Sequence, residues 1–201
     1  MRLSGIAVDA VMDSVSVKLN GVFCASDSIR TYAKVLASQK PHPLTLDSYF
    51  PSSTYAYTYL GINDWEAYMQ QYALYLKSSA QYHQYNVSLQ RYDSLFKCPS
   101  VEFFTPWAGE GVAIVRSADG KYSTDEDIVV SRIIDIEAAY DALDKIKDPA
   151  EASPDPYRSH RIVKINPRYS TIFAELISPA LGKKGVKYAA CLQDVMIAAA
   201  S

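Results

Sequence analysis

The longest regular pattern of hydrophobic and polar positions lies between Asn63 and Cys98, a stretch without glycine or proline. Aromatic residues recur there at steps of three and four, the spacing of side chains on one face of an α-helix. The two successive stripes are Tyr68, Tyr72, Tyr75, Ser79, Tyr82 and then Tyr85, Leu89, Tyr92, Phe96. The pattern predicts one long helix over 64–97, capped by Asn63 or Asp64 and with a kink or break near Ser78–Ser79.

A stripe of tyrosines differs from a stripe of leucines, because each ring buries a large apolar area while its hydroxyl still needs water or a partner. Tyrosine is therefore typical of half-exposed surfaces such as interfaces. The helix either packs only on its own domain, also meets another subunit, or stacks bases of a single-stranded nucleic acid. The hypothetical interface residues are Tyr68, Tyr72, Tyr75, Tyr82, Tyr85 and Tyr92.

Alternating apolar and polar positions predict strands on both sides of this helix. Before it, the pattern predicts a strand over 6–12, a hairpin over 15–24 that turns at Asn20-Gly21, a helix that begins at Ser26 or Asp27, and a strand over 52–60. After it, the pattern predicts a strand over 101–105, a hairpin of 111–116 with 128–130, a helix capped by Ser131, a strand over 161–165, and a helix over 188–200. The stretch 170–177 fits a strand or a short helix equally well.

These elements predict an α+β fold, in which hairpins build a mixed or antiparallel sheet and one long and two or three shorter helices pack on it. We expect a main domain over 1–148 and a proline-rich linker over 149–157. The remaining segment, 158–201, is basic and ends in an apolar tail. Because an apolar tail is rarely left in water, we expect it to dock on the main domain or on a neighbouring subunit.

The composition is that of an ordinary soluble globular protein, with 49% hydrophobic and 21% charged residues in 201. The net charge of −2 does not favour nucleic acids or membranes for the molecule as a whole. Three distant cysteines, Cys24, Cys98 and Cys191, indicate a reducing compartment such as the cytoplasm. No apolar run approaches the roughly 20 residues of a membrane span, so no membrane association is expected.

Charge is unevenly distributed in the last third of the chain. Residues 119–155 contain 11 acidic against four basic residues, a net charge of −7, whereas residues 157–188 contain seven basic residues against Glu175, a net charge of +6. The two segments either face each other within one fold, remain solvated, pair between subunits, or leave the basic one to bind a polyanion. The hypothetical polyanion-binding residues are Arg158, His160, Arg161, Lys164, Arg168, Lys183, Lys184 and Lys187.

The strand at 52–60 places Tyr55, Tyr57 and Tyr59 on one side, as in sheets that stack bases. Such platforms normally include basic residues, and the interval 41–71 contains no lysine or arginine. The pattern therefore favours a structural role for these tyrosines.

Catalytic and metal-binding motifs are missing from the sequence: there is no G-x-S-x-G, H-E-x-x-H or Walker A pattern. His42, between Pro41 and Pro43, is interpreted as a linker residue. The acidic cluster 125–127 could hold Ca²⁺ or Mg²⁺ but lacks the ligand spacing of an EF-hand, which favours a solvated loop. We predict no catalytic residue, metal or cofactor, although an enzyme whose site assembles only in space stays an alternative.

The sequence thus predicts a non-enzymatic structural subunit of a larger assembly, of the capsid, virion-component or scaffold type, that forms homo- or hetero-oligomers. The excess of tyrosine, 16 residues against six phenylalanines, and the charge asymmetry support this interpretation. The alternatives are a nucleic-acid-binding module that uses residues 158–187 and an enzyme without a sequence motif.

Overall fold

A six-stranded antiparallel sheet organises this protein, and the α+β class predicted from the sequence is confirmed. The computed structural model describes residues 5–12, 17–24, 31–78, 80–117, 126–150, 162–176 and 185–199. The strands are β1 (Gly5–Met12), β2 (Val17–Cys24), β3 (Thr54–Leu60), β4 (Ala108–Ser117), β5 (Glu126–Ile133), β6 (Ile162–Lys164), β7 (Tyr188–Leu192) and β8 (Val195–Ala199). The helices are α1 (Tyr32–Ala37), α2 (Trp65–Ser78), α3 (Tyr82–Phe96), α4 (Val101–Phe104), α5 (Ile136–Ile146) and α6 (Ile172–Leu176).

The strand order β3-β4-β5-β8-β7-β6 divides the sheet into two halves of similar design. In each half a first strand is followed by helix and then by a hairpin, β4–β5 in one half and β7–β8 in the other. The halves join where β5 pairs with β8. β1 and β2 form a separate two-stranded sheet.

The predicted long helix is two helices, and this corrects the expectation of a single one. α2 ends at Ser78 and α3 begins at Tyr82, while Ala80 has a left-handed backbone with a φ of 60°. A left-handed residue cannot continue a right-handed helix, so the chain turns close to the predicted break. Asp64 is the N-cap as predicted, because its Oδ1 accepts a hydrogen bond from the amide of Ala67 at 2.9 Å.

Two expectations near the chain ends are wrong. Asn20-Gly21 is not a turn but lies inside β2, where Asn20 pairs with Asp9 and Gly21 with Val8. β1 and β2 pair at eight positions. They thereby form more inter-strand hydrogen bonds than the two short strands that a turn at Asn20-Gly21 would leave. Residues 188–199 form a hairpin rather than the helix expected over 188–200, because β8 pairs with β5 and this tertiary pairing outweighs the helix propensity of the alanines.

Two further boundaries also differ from the prediction. Residues 101–104 form a helix, in which Glu102 and Phe103 donate backbone hydrogen bonds to Pro99 and Ser100 at 2.9 and 3.1 Å. Ser131 is buried within β5, and α5 is instead capped by Asp135, whose Oδ1 accepts from the amides of Glu137 and Ala138. Both stretches are short and mostly apolar, and the pattern of such a run does not distinguish a strand from a helix.

Both faces of the sheet contain buried apolar residues. The larger core lies between the sheet and the helices, where Trp107 and Phe104 are almost fully buried. The smaller core lies on the opposite face, where Leu46 packs on Ala113, Val130 and Val195.

Two predictions fall on segments outside the described residues. The proline-rich linker and its boundaries stay a prediction, since 151–161 are not described. The predicted start of the first helix likewise lies in 25–30, which are not described.

Candidate interaction surface

The sheet face opposite the helices, here called the outer face, is covered only in part. Residues 40–53, here called the covering segment, lie on it, and Leu46 at the centre of this segment is fully buried. The half-buried side chains Leu44, Tyr49 and Phe50 pack around the same cluster. The covering segment therefore shields the middle strands and leaves the two ends of the outer face less protected.

His42 fixes the covering segment to the sheet. Its Nδ1 lies 2.8 Å from the hydroxyl of Tyr59, and its Nε2 lies 2.7 Å from Oε2 of Glu110. The Tyr59 hydroxyl also donates to the carbonyl of Pro43 at 3.1 Å. Further along the segment, the hydroxyl of Tyr49 donates to the carboxylate of Asp194.

These contacts form a clamp between the covering segment and the sheet. The His42 ring lies between Tyr59 on β3 and Glu110 on β4, within hydrogen-bond distance of both, and the carbonyl of Pro43 adds a third contact. Burial, with a smaller contribution from the charge of Glu110, raises the pKa of Tyr59, so its phenol keeps its proton at neutral pH.

A β-bulge brings Glu110 to His42. The register of β4 against β5 shifts between Ala108 and Val112, and Gly111 within this bulge has a φ of +113°. A Cβ atom on Gly111 would lie 2.5 Å from the hydroxyl oxygen of Tyr59. Only glycine can therefore provide both the backbone angle and the room for the Tyr59 ring.

The substitution Gly111→Ala is expected to lower the free energy of unfolding by about 1–3 kcal/mol, because it combines a strained φ with a steric overlap. Urea unfolding measures this loss. Gly61→Ala is the matched control, since its Cβ would come no closer than 3.2 Å to His42 and no positive φ is involved. Equal losses in the two variants would contradict the role assigned to the bulge.

β3 lies at one edge of the six-stranded sheet, and its exposed side chains are two tyrosines and Thr58. Tyr55 and Tyr57 are 54% and 55% exposed, and the ring of Phe50 from the covering segment lies 5.3 Å from the ring of Tyr57. In the part of the chain that the structure describes, β4 is the only strand that pairs with β3. β3 also lacks the charged residues and proline with which natural edge strands discourage pairing with other chains.

The opposite end of the outer face is apolar as well. Ile162 on β6 is 71% exposed, and Tyr188 on β7 is 37% exposed. The backbone of β6 is covered at its Lys164 end, however, because the Lys164 carbonyl accepts from the amide of Asp148 at 2.8 Å and Ile165 forms a bridge with Lys147. Within the described ranges, no such bridge is found beside β3.

The structure places the six tyrosines predicted for an interface mostly inside this chain. Tyr68, Tyr72, Tyr85 and Tyr92 are buried, and the Tyr72 ring lies 6.0 Å from that of Tyr68 and 5.5 Å from that of Tyr85. Two of the hydroxyls have internal partners: that of Tyr68 lies 3.1 Å from the Tyr32 hydroxyl, and that of Tyr92 lies 3.2 Å from Thr171 Oγ1. Tyr75 and Tyr82 are half-buried, and an intersubunit contact through them stays a prediction.

Three of the eight residues predicted to bind a polyanion are described. Lys164 Nζ lies 3.7 Å from Asp148 Oδ2, while Arg168 and Lys187 are exposed. The other five, Arg158, His160, Arg161, Lys183 and Lys184, lie outside the described residues. The nucleic-acid alternative therefore stays a prediction.

Metal-binding geometry is not found among the described residues, since no three histidine, cysteine, aspartate or glutamate side chains cluster there in a way that could hold an ion. Of the predicted acidic cluster, Asp125 lies outside the described residues, and Asp127 accepts a hydrogen bond from Arg116 Nε at 3.1 Å. Cys98 and Cys191 are free thiols, and burial raises the pKa of Cys191 to about 11, which makes it a weak nucleophile.

Sequence reasoning missed the clamp and the edge position of β3 for different reasons. Nothing in the spacing of His42 and Glu110 indicates that they meet, since the bulge and the covering segment bring them together. The edge strand does leave a signal in the sequence, the absence of lysine and arginine from 41–71, but this absence does not indicate that the strand lies at a sheet edge.

None of the helices in the described ranges is both long and apolar enough to cross a membrane. The sequence matches no protein-family model, and neither a curated protein nor a solved structure matches the chain.

Proposed function

We propose that this protein is a non-enzymatic subunit that assembles with further copies of itself, in a complex of the capsid, virion-component or scaffold type. The observation that carries the proposal is the edge strand β3, which is seven residues long, has no charged residue and contains the exposed tyrosines Tyr55 and Tyr57. An edge of this kind presents unpaired backbone donors and acceptors to any other strand.

Exposed strand edges are selected against in soluble proteins. An uncharged strand whose backbone stays unpaired in solution promotes uncontrolled aggregation, so natural proteins shorten, charge, twist or cover it. Among the described residues, the end of α5 bridges the Lys164 end of β6, whereas β4 is the only strand that pairs with β3. An assembly in which β3 becomes paired accounts for that difference.

The side chains around β3 suit an interface. Tyrosine is enriched among residues that dominate binding energy, because it buries a large area at a small cost in side-chain entropy. Tyr57 is already packed on one side by Phe50, which restricts its ring before a partner binds. The neutral strand adds no like-charge repulsion between identical subunits.

The mass of the untagged protein in solution tests the proposal. Size-exclusion chromatography with light scattering, over a dilution series near physiological salt, is expected to show a discrete oligomer. A mass of 22.3 kDa at every concentration would contradict self-assembly. Because backbone pairing and apolar burial are weakly screened, the oligomer is expected to survive about 0.5 M salt. Dissociation in that salt would instead indicate that charge pairing holds the subunits together.

A further inference from the structure

We propose that the covering segment, residues 40–53, opens from the outer face of the sheet as one unit while the strands and helices of the fold stay closed. The structure shows the closed state, in which the segment shields an apolar strip along the middle strands. The outer face then has a covered and an uncovered state. The inference does not depend on the proposed self-assembly, because it concerns only contacts within one chain.

The first step concerns the backbone of the covering segment, which is not a strand of the six-stranded sheet. The amides of Tyr49 and Phe50 donate to the carbonyls of Leu46 and Asp47 at 3.0 and 3.1 Å, so both bonds stay within the segment. Among the described residues, no backbone-to-backbone hydrogen bond runs from 40–50 to a strand of the sheet. Opening therefore breaks no hydrogen bond of the sheet, and motions of that kind need less free energy than global unfolding.

The second step concerns the two ends of the covering segment, which contain proline. Pro41 and Pro43 lie near its beginning, and Pro51 lies near its end. Proline fixes its own φ and restricts the residue before it, so both ends have a stiff backbone. Stiff ends favour movement of residues 44–50 together over fraying of single residues.

The third step concerns the contacts that hold the covering segment closed. Leu46 is fully buried, and its burial is the main apolar contribution. The polar contacts join side chains only, His42 to Glu110 and Tyr49 to Asp194. The side chains of Glu110 and Asp194 are 55% and 40% exposed, so water can replace their partners at little cost. Closure thus depends chiefly on one leucine.

Cysteine labelling under the covering segment tests the inference. Val130 and Val129 are neighbours on β5 and both are buried, but Val130 lies in the cluster under Leu46 and Val129 lies in the larger core on the opposite face. A small thiol reagent is expected to modify Val130→Cys about 100-fold faster or more than Val129→Cys, which becomes accessible only when the fold opens. Peptide mass spectrometry distinguishes each site from the native cysteines.

The urea dependence of labelling separates opening of the covering segment from global unfolding, because its slope scales with the surface that opening exposes. A shallow slope is expected for Val130→Cys, and the full slope of global unfolding is expected for Val129→Cys. Equal rates and equal slopes at the two positions would overturn the inference. If circular dichroism shows that either variant does not fold, Val115→Cys and Val112→Cys form an equivalent pair on the two faces of β4.

Variants of the polar contacts test whether the covering segment opens as one unit. Tyr49→Phe removes the hydrogen bond to Asp194, and Glu110→Ala removes a partner of His42. Each is expected to raise the labelling rate of Val130→Cys about 3-fold or more, because opening of the whole segment breaks both contacts. An unchanged rate in either variant would overturn opening as one unit.

Discussion

Replacing Phe104 by alanine is expected to lower the free energy of unfolding by about 3–5 kcal/mol. Phe104 is fully buried where three helices meet. Its ring lies 6.2 Å from that of Trp65 on α2 and 5.9 Å from that of Phe173 on α6. Truncation removes the buried ring and leaves a cavity among the packed rings of Trp65, Trp107 and Phe173, which cannot readily move to fill it.

Tryptophan fluorescence during urea unfolding measures this loss. Both tryptophans of the chain, Trp65 and Trp107, lie within 6.2 Å of the Phe104 ring and report on its surroundings. Val87→Ala, at an exposed position of α3, is the control and is expected to change stability by no more than about 0.5 kcal/mol. A loss below about 2 kcal/mol for Phe104→Ala would mean that the neighbouring rings refill the site.

Stability is also expected to fall steeply as the pH rises from 10 towards 12. Burial raises the pKa of Tyr85 from 10.0 to about 12, and burial raises that of Tyr72 as well. Above pH 10 the unfolded chain therefore loses phenol protons that the folded chain keeps, which favours unfolding. Each such tyrosine lowers the free energy of unfolding by up to about 1.4 kcal/mol per pH unit until its folded pKa is reached.

The thiol of Cys191 acts in the same direction from pH 9, since burial raises its pKa from 9.0 to about 11. Urea unfolding at a series of alkaline pH values measures the combined loss. Tyr85→Phe is the matched variant, because phenylalanine cannot ionise, and its pH dependence is expected to be shallower between pH 10 and 12. Parallel pH profiles for Tyr85→Phe and the unaltered protein would contradict the assignment.

The parts of the fold that were predictable from sequence are the elements for which the periodicity of apolar residues and the capping residues indicate the same structure. The stripe through Tyr68 and Tyr72 and the stripe through Tyr85 and Tyr92 are the buried faces of α2 and α3, and the Asp64 cap was visible in the sequence. The short apolar runs were not predictable in this way. Residues 188–199 became strands because β5 is available to pair with them, and that partner is distant in the chain.

The sequence predicted which residue types form the candidate surface, but it did not predict where in the sheet this surface lies. Three tyrosines on one side of a strand could be read from 55–59, yet whether that strand lies at an edge is a property of the whole sheet order. The interface was expected on the helical tyrosines, whose regular spacing is also what allows them to pack against one another inside this chain. Periodicity shows that residues share a face and does not show what covers the face.

The seam between β5 and β8 has a consequence for how a newly made chain folds. It joins residues as far apart as Ile128 and Ala199, whereas the hairpins on either side of it form from neighbours in sequence. Closure of this seam must therefore await the synthesis of β8, and its loop entropy slows folding. Until then the side of β5 that later pairs with β8 has no partner, so a nascent chain is more prone to exchange strands with another copy than the folded protein.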